Sequence, residues 1–286
     1  MGRVSHAPAR RGFEALGLPG SVTVTDPSLL DVAHGAAVDV VRGVEAACSR
    51  LHLDSELARL NAAAGRRTVV GDVLIEVLEL ALRVAALTDG AVDPTRGIAV
   101  RRGACKRDVQ RLATAPSRRA RPAPRRLVHP AGRASWRDVR LDAIGRTVTL
   151  PAGLRLDVDA TAAPIAADRA AAWAAHAARG AGVLVELGEH AAAAGEAPEP
   201  GWTVPIHDDG AAGLLTVGGL ATASVVGTWQ RVTVAACTSA EAHVASTAAM
   251  ELGREAPRWL RLRRLPARLV AHDGAVLVLG EWSAEA

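Results

Sequence analysis

Leu74, Val77, Leu78, Ala81, Val84 and Ala85 recur at spacings of three and four residues, and the pattern stops at Thr88-Asp89-Gly90. This spacing predicts an amphipathic helix, capped at Asp72, with one apolar stripe and one solvated face. A helix of that kind must bury its stripe against a second layer, which commits the chain to a packed fold. The glycine at its end suits the left-handed C-cap conformation. Asp93-Pro94-Thr95 follows on a turn before Gly97. The helix therefore delivers a carboxylate and a hydroxyl to one place.

The rest of the chain reads as a mixture of helices and short strands. Ser21–Thr25 alternates as a strand. Asp26-Pro27-Ser28 is a helix start, with a capping side chain and proline in the first turn. Leu29, Val32, Ala33, Ala36, Val40 and Val44 then form the predicted inner face of a helix ending near Ala47. Asp54-Ser55-Glu56 opens a short turn or helix with Leu57 and Leu60 inward. Ala160–Arg179 is an alanine-rich helix that tolerates Pro164 in its first turns. Val183–Leu187, Trp202–Ile206 and Arg231–Ala236 read as strands, and Ala240–Leu252 and Ala256–Arg264 as helices. Val139–Asp142 with Thr147–Leu150, and Arg268–Ala271 with Ala275–Leu279, read as hairpins. The class is α+β with antiparallel hairpins. Residues 1–286 form one domain in this reading, interrupted by a basic, Pro/Arg-rich loop over 101–137.

Composition narrows the functional classes. The chain has six Trp, one Phe and no Tyr, so it offers few platforms for stacking bases. Its net charge is +4, and Lys106 is the sole lysine. The arginine clusters over 101–107 and 118–126 could meet phosphates, yet without a recognition fold they read as a solvated loop. Cys48, Cys105 and Cys237 lie far apart with no metal-ligand spacing. Cys48 and Cys237 sit in apolar contexts and are expected to be buried thiols. The N-terminus has no signal-peptide apolar region and no run is long enough to span a bilayer, so the expected location is cytoplasmic.

Seven segments in collinear order resemble the FAD:protein FMN transferase family, the ApbE-type proteins. Ser49–Asn61 is similar to that family's "DSELSRLN" element, and Thr88–Gly97 to its "TgGaFDPTvG" element. Leu141–Asp168 resembles its "lDlG..aKg.aaD" stretch, and Val183–Trp202 its "LV.lGGD" region. Gly218–Ser224 resembles "GgiATSg". Ala242–Gly253 and Leu265–Trp282 resemble the two C-terminal elements. The resemblance implies a flavin-transferase-like α+β fold. It also implies an activity: FMN moves from FAD to a Ser or Thr of an acceptor protein, with Mg²⁺ present and AMP released. Asp54, Ser55, Asp93, Thr95 and Thr161 are then the implied nucleotide contacts, and His243 and Thr247 the implied metal ligands. No catalytic residue is assigned.

The chain departs from the family pattern in its second half. Asp159 stands at a glycine position and Ala163 at a lysine position. Leu187-Gly188-Glu189-His190 replaces "LGGD". An "HHI.DP.TG" element is absent between Ser224 and Arg231. His243 stands where the family carries Asp or Asn. These substitutions keep a second reading open: a degenerate member that binds FAD or a partner protein without transfer. The arginine-rich loop keeps a third, a nucleic-acid-binding module. His243 and Thr247 share a helix face, as metal ligands or as a solvated helix start. Gly218-Gly219 reads as a phosphate cradle or a bend, and His207-Asp208-Asp209-Gly210 as a polar turn.

Overall fold

The computed structural model describes residues 7–49, 52–95, 134–206, 212–216, 218–224 and 228–282. Strand β1 (Ala9–Ala15) turns through Leu16 and Gly17 into β2 (Leu18–Val24). Asp26 Oδ1 accepts from the backbone N–H of Ser28 at 2.9 Å and starts a single 3₁₀ turn. Helix α1 (Leu30–Cys48) follows, then α2 (Glu56–Ala62), β3 (Arg67–Val69) and α3 (Asp72–Leu87). Beyond the undescribed stretch come β4 (Arg140–Asp142), β5 (Thr147–Thr149) and α4 (Asp159–Ala177). Strands β6 (Val183–Leu187), β7 (His190–Ala194), β8 (Trp202–Pro205), β9 (Ala212–Leu215), β10 (Gly218–Ala223) and β11 (Trp229–Ala236) follow. Helices α5 (Ser239–Leu252) and α6 (Ala256–Leu262) precede the hairpin β12 (Ala267–Ala271) and β13 (Val276–Leu279).

Eight strands join in the order β1-β2-β6-β7-β10-β11-β12-β13, every neighbouring pair antiparallel. The period-two alternation of strands sorts their side chains between two faces. Val183, Val185, Leu187 and Ala192 belong to the main core, which they share with α1, α3 and α4. Leu184, Ala191 and Ala193 point the other way, onto Trp202, Val204 and Leu215 of the β8–β9 ribbon. A third cluster joins β11 and β12 to α5 and α6 through Val232, Val234, Ala249, Leu260 and Leu269. His190 lies two residues from Ala192 and so shares the helix-covered face.

Alanine lets the helices approach closely. Ala33, Ala37, Val41 and Val44 of α1 are buried, together with Ala163, Ala166, Ala167, Ala170 and Ala174 of α4. The inner face of α1 is thus offset from the sequence reading: Val32 is 48% exposed, and Ala37 and Val41 take the core positions. The closest packing goes to the smallest side chains, not the most apolar ones.

Several boundaries shift as well. Gly71, not Asp72, is the N-cap of α3, and its N–H donates to Glu56 Oε2 at 2.6 Å. At the far end, the left-handed backbone begins at Asp89 (φ 49°) and continues at Gly90 (φ 77°). Gly90 N–H donates to the Ala85 carbonyl at 2.8 Å, closing a Schellman-type cap. Cys48 is buried as expected, but Cys237 is exposed, because it lies past the end of β11 where the chain turns toward α5. Only the last residues of the loop expected over 101–137 are described. There Ser135 and Asp138 close a capping box around a 3₁₀ turn over Trp136–Asp138. The polar turn expected at 207–210 lies outside the described residues.

Candidate functional site

The turn after α3 is built from its own side chains. Asp93 Oδ1 accepts from the Thr95 backbone N–H at 2.8 Å and from its hydroxyl at 2.6 Å. Thr88 Oγ1 donates to the Val84 carbonyl at 2.8 Å and accepts from Val92 N–H at 3.2 Å. Asp157 N–H donates to the Pro94 carbonyl at 2.8 Å, so the turn is seated at the start of α4. Asn61 holds the adjoining residue from the other side: its Nδ2 donates to the Leu156 carbonyl at 2.9 Å, and its Oδ1 accepts from Leu156 N–H at 2.8 Å. Two sequence-distant elements thus fix Leu156 and Asp157 as the entry to α4. Thr161, in the first turn of that helix, is buried and donates to the Val158 carbonyl at 3.1 Å.

The second half of the site rests on α5. Asp168 of α4 accepts from the backbone N–H groups of Ser239 at 2.7 Å and Ala240 at 2.9 Å. This places a carboxylate on the positive end of α5. Burial pushes the Asp168 carboxyl up to about 6, against the pull of the Ala240 and Ser239 N–H groups and with a further push from Glu76 and Glu241. On the other side β10 meets the same helix end: a Cβ on Gly219 would lie 1.8 Å from Ser239 N. A Cβ on Gly218 would lie 2.6 Å from the Ala236 carbonyl oxygen. The glycine pair is therefore a close-approach device between β10 and the β11–α5 connection.

Fixed in this way, α5 brings His243 and Thr247 inside; they are 8% and 7% exposed. The reading of this stretch as a solvated helix start is overturned by that burial. His190, at the start of β7, meets His243 edge-on, with ring centroids 5.3 Å apart and planes at 72°. Burial pushes the His190 ring down to about 3, with His243 adding to the shift, and burial pushes His243 down to about 4. Both rings are therefore neutral at pH 7. His190 Nδ1 and His243 Nε2 are sealed from solvent with no hydrogen-bond partner among the described residues.

Glu189, at what the resemblance implies is a glycine position, sits before His190 without strain. Gly188 alone of the two turn residues takes positive φ (58°), and Glu189 is exposed. At the lysine position, Ala163 is fully enclosed in the main core. Mg²⁺, which the resemblance implies, takes oxygen ligands in octahedral geometry. The residues gathered here offer two imidazoles and a hydroxyl. Among the described residues no three His, Cys, Asp or Glu side chains converge on one point. The donor set does not suit Mg²⁺.

The structure thus brings Asp93, Thr95 and Thr161 to one end of α4, and His243 and Thr247 onto the buried face of α5. Asp54 and Ser55 lie at the start of α2. Asp54 is exposed, and Ser55 is the N-cap of α2, its hydroxyl donating to the Ser49 carbonyl and accepting from Ala58 N–H at 3.0 Å. Three positions escaped the sequence reading as site builders: Asn61, Asp168 and His190. Asn61 and Asp168 lay within the resemblance segments, but their partners, Leu156 and Ser239, are set by tertiary contact. A cavity of about 560 Å³ borders Gly218, Cys237 and Glu241 where β10 meets the start of α5, and one of about 1010 Å³ lies beside Thr25, Arg179 and Glu199.

Comparison with known proteins bears on this arrangement. The model of the ApbE family matches residues 16–228. Searching the curated proteins finds no match. Solved structures match over nearly the whole chain. The ApbE protein of Thermotoga maritima has 17% identity and a TM-score of 0.74, over 96% of this chain and 97% of that one. The apo flavinyl transferase ApbE of Pseudomonas stutzeri has 20% identity and a TM-score of 0.72, over 97% of each chain. The flavin transferase ApbE of Vibrio cholerae has 16% identity and a TM-score of 0.69, over 96% of this chain and 97% of that one. At these identities the likeness establishes the fold.

Proposed function

Because this chain belongs to the ApbE family, we propose that it binds FAD and transfers FMN from it to a Ser or Thr hydroxyl of an acceptor protein. The acceptor oxygen attacks the phosphorus on the FMN side of the pyrophosphate. The bond from that phosphorus to the bridging oxygen breaks, and AMP leaves with the bridging oxygen. The hydroxyl proton passes to solvent. The products are a phosphoester-linked FMN and AMP.

The observation that carries this reading is the 2.8 Å hydrogen bond from Asp157 N–H to the Pro94 carbonyl. It seats the Asp93–Thr95 turn beside the first turn of α4. A nucleotide approaching there meets the Asp93 carboxylate, the Thr95 hydroxyl and the first turn of α4, where Asp157 Oδ1 accepts from Asp159 N–H at 3.1 Å. In this reading Asp93 and Thr95 orient the nucleotide, and Thr161 shapes the floor beneath it.

A second reading has its own observation. Ala163 is fully enclosed, so no cation replaces the family lysine from that position. A protein that binds FAD, or a partner protein, without transferring FMN fits that loss. One experiment separates the two. The purified chain is incubated with FAD, a divalent cation and an FMN-acceptor domain, and flavin fluorescence in denaturing gels is followed together with AMP release. Both signals support transfer. FAD binding without either signal supports the second reading, and absence of FAD binding overturns both.

A further inference from the structure

Helix α6 and the residues flanking it concentrate positive charge on one surface. Residues 254–264 carry five arginines, Arg254, Arg258, Arg261, Arg263 and Arg264, against one acid, Glu255. All five are exposed, and none makes an ion pair among the described residues. Elsewhere Arg10, Arg11, Arg67, Arg137, Arg146 and Arg169 are each paired with a carboxylate. A helix C-terminus draws basic residues, which accounts for Arg261, Arg263 and Arg264. It does not account for Arg254, which precedes α6, or for Arg258 in its first turn, where the positive end of the helix disfavours a cation.

The packing of α6 fixes which side chains face out. Ala256 and Leu260 are fully buried in the cluster shared with β11 and β12. Helical spacing then puts Arg258, Arg261 and Leu262 on the outer side. The surface is held firmly: Trp229 Nε1 donates to the Gly253 carbonyl at 2.7 Å, and Leu265 N–H to the Leu260 carbonyl at 3.2 Å. Leu262, one turn on from Arg258, is 73% exposed, and Leu252 before the turn is 36% exposed. A leucine set among arginines gains nothing from a purely ionic partner. Nucleic acid would call for a free stacking ring, and the Arg263 guanidinium lies over the Trp259 ring, 4.1 Å from its centroid. The outer side of the helix has one largely exposed apolar side chain, too little for the apolar centre of a protein interface. An anionic bilayer satisfies both features, with phosphates for the guanidinium forks and an acyl boundary for the leucine.

We propose that the outer side of α6 docks this protein on an anionic phospholipid bilayer, with Arg254, Arg258, Arg261 and Arg264 on the headgroup phosphates and Leu262 entering the acyl boundary. The contact is peripheral: among the described residues no helix is long and apolar enough to cross a membrane. Each arginine at such a surface contributes about five-fold to the partition coefficient. Docking requires neither FAD nor an acceptor, so it stands or falls apart from flavin transfer.

The test sediments the full chain with vesicles of phosphatidylcholine alone and of phosphatidylcholine mixed with phosphatidylglycerol, and measures heparin binding alongside. Binding to the mixed vesicles is expected, with none to the neutral ones and loss in about 1 M salt, where charges are screened beyond about 3 Å. Arg258→Gln with Arg261→Gln is expected to weaken vesicle binding about 25-fold. Leu262→Gln is expected to weaken it at least about five-fold while heparin binding is unchanged. Arg118→Gln with Arg119→Gln removes the same charge from the arginine-rich stretch outside the described residues, and is expected to leave vesicle binding unchanged. Circular dichroism checks that each variant is folded, and the salt dependence of the wild-type chain needs no variant. The proposal is overturned if the mixed vesicles do not bind, if neutral vesicles bind equally, or if the Arg118 and Arg119 variant weakens binding as much as the α6 variant. It is also overturned if Leu262→Gln leaves vesicle binding unaltered, which would make α6 a general polyanion surface.

Discussion

Individual side chains in this protein have roles that their neighbours in sequence do not disclose. Asn61 lies near the end of α2, yet its amide is taken up by both polar groups of Leu156. Replacing it with alanine leaves a donor and an acceptor at Leu156 without their partner, and the expected loss of stability is about 1–3 kcal/mol. Asn61→Asp is expected to be no better, because a carboxylate cannot donate to the Leu156 carbonyl. Urea unfolding of the three proteins measures both. Ala163 gives the opposite lesson. Restoring the family lysine there looks like a repair in sequence, but the site has no room for four methylenes and no solvent for the ammonium. Ala163→Lys is expected to destabilise by at least about 3 kcal/mol, read as a fall in the thermal midpoint, with no gain in FMN transfer. Ser55 carries a local role of its own: its hydroxyl accepts from Ala58 N–H at 3.0 Å and caps α2.

At the scale of elements, close backbone approach decides more than apolar pattern. Gly219 lets β10 run against the first residues of α5, with backbone atoms where a methyl group would have to go. Gly219→Ala is therefore expected to cost more than about 3 kcal/mol and to release His243 from its place. Gly43, inside α1 with nothing within 4 Å of its missing Cβ, is the control. Gly43→Ala is expected to stabilise by about 0.5–1 kcal/mol, through helix propensity alone. Chemical denaturation of the two variants gives opposite signs. The same distinction separates the legible elements from the rest. The α3 stripe, the β12–β13 hairpin and the Asp93–Thr95 turn carry local signals, and each is legible in sequence. Strand β7 is not: His190–Ala194 is four alanines after a histidine, with no alternation and no β-branched residue. It is a strand because β6 and β10 pair with it on both sides. The offset of α1 has the same origin, since alanine wins the contact with α4 by size. The His190–His243 pair is illegible for this reason. Its first member sits on a strand that only tertiary pairing creates.

For the whole molecule, the shifted titrations combine into one stability profile whose signs can be worked out. His190 and His243 are depressed to about 3 and about 4 from an ordinary value of 6.5. They stabilise the fold above pH 6.5, and that contribution is lost as pH falls toward their folded values, because the unfolded rings take up protons first. Asp168 is raised from 3.8 to about 6. Its contribution runs the other way: it is fully present below 3.8 and lost as pH rises through about 6. Glu251, raised by burial, shares that sign. Near pH 5 each fully engaged group contributes a slope of about 1.4 kcal/mol per pH unit, so the two histidines outweigh Asp168 and the net effect of acidification is loss. At alkaline pH the buried Cys48 thiol takes over. Burial pushes it from 9.0 up to about 12, helped by Glu56, Asp159 and Glu76. The unfolded thiol ionises first, so stability falls as pH rises above about 9. A maximum between about pH 6.5 and 9 is expected, measured by urea midpoints across the range. Removing both imidazoles, as His190→Gln with His243→Gln, is expected to reverse the acid limb near pH 5, since Asp168 and Glu251 then dominate. Cys48→Ala is expected to flatten the alkaline limb and leave the acid limb unchanged. An acid limb that persists unaltered in the double histidine variant would mean that the pair is not held neutral by the packing of β7 against α5.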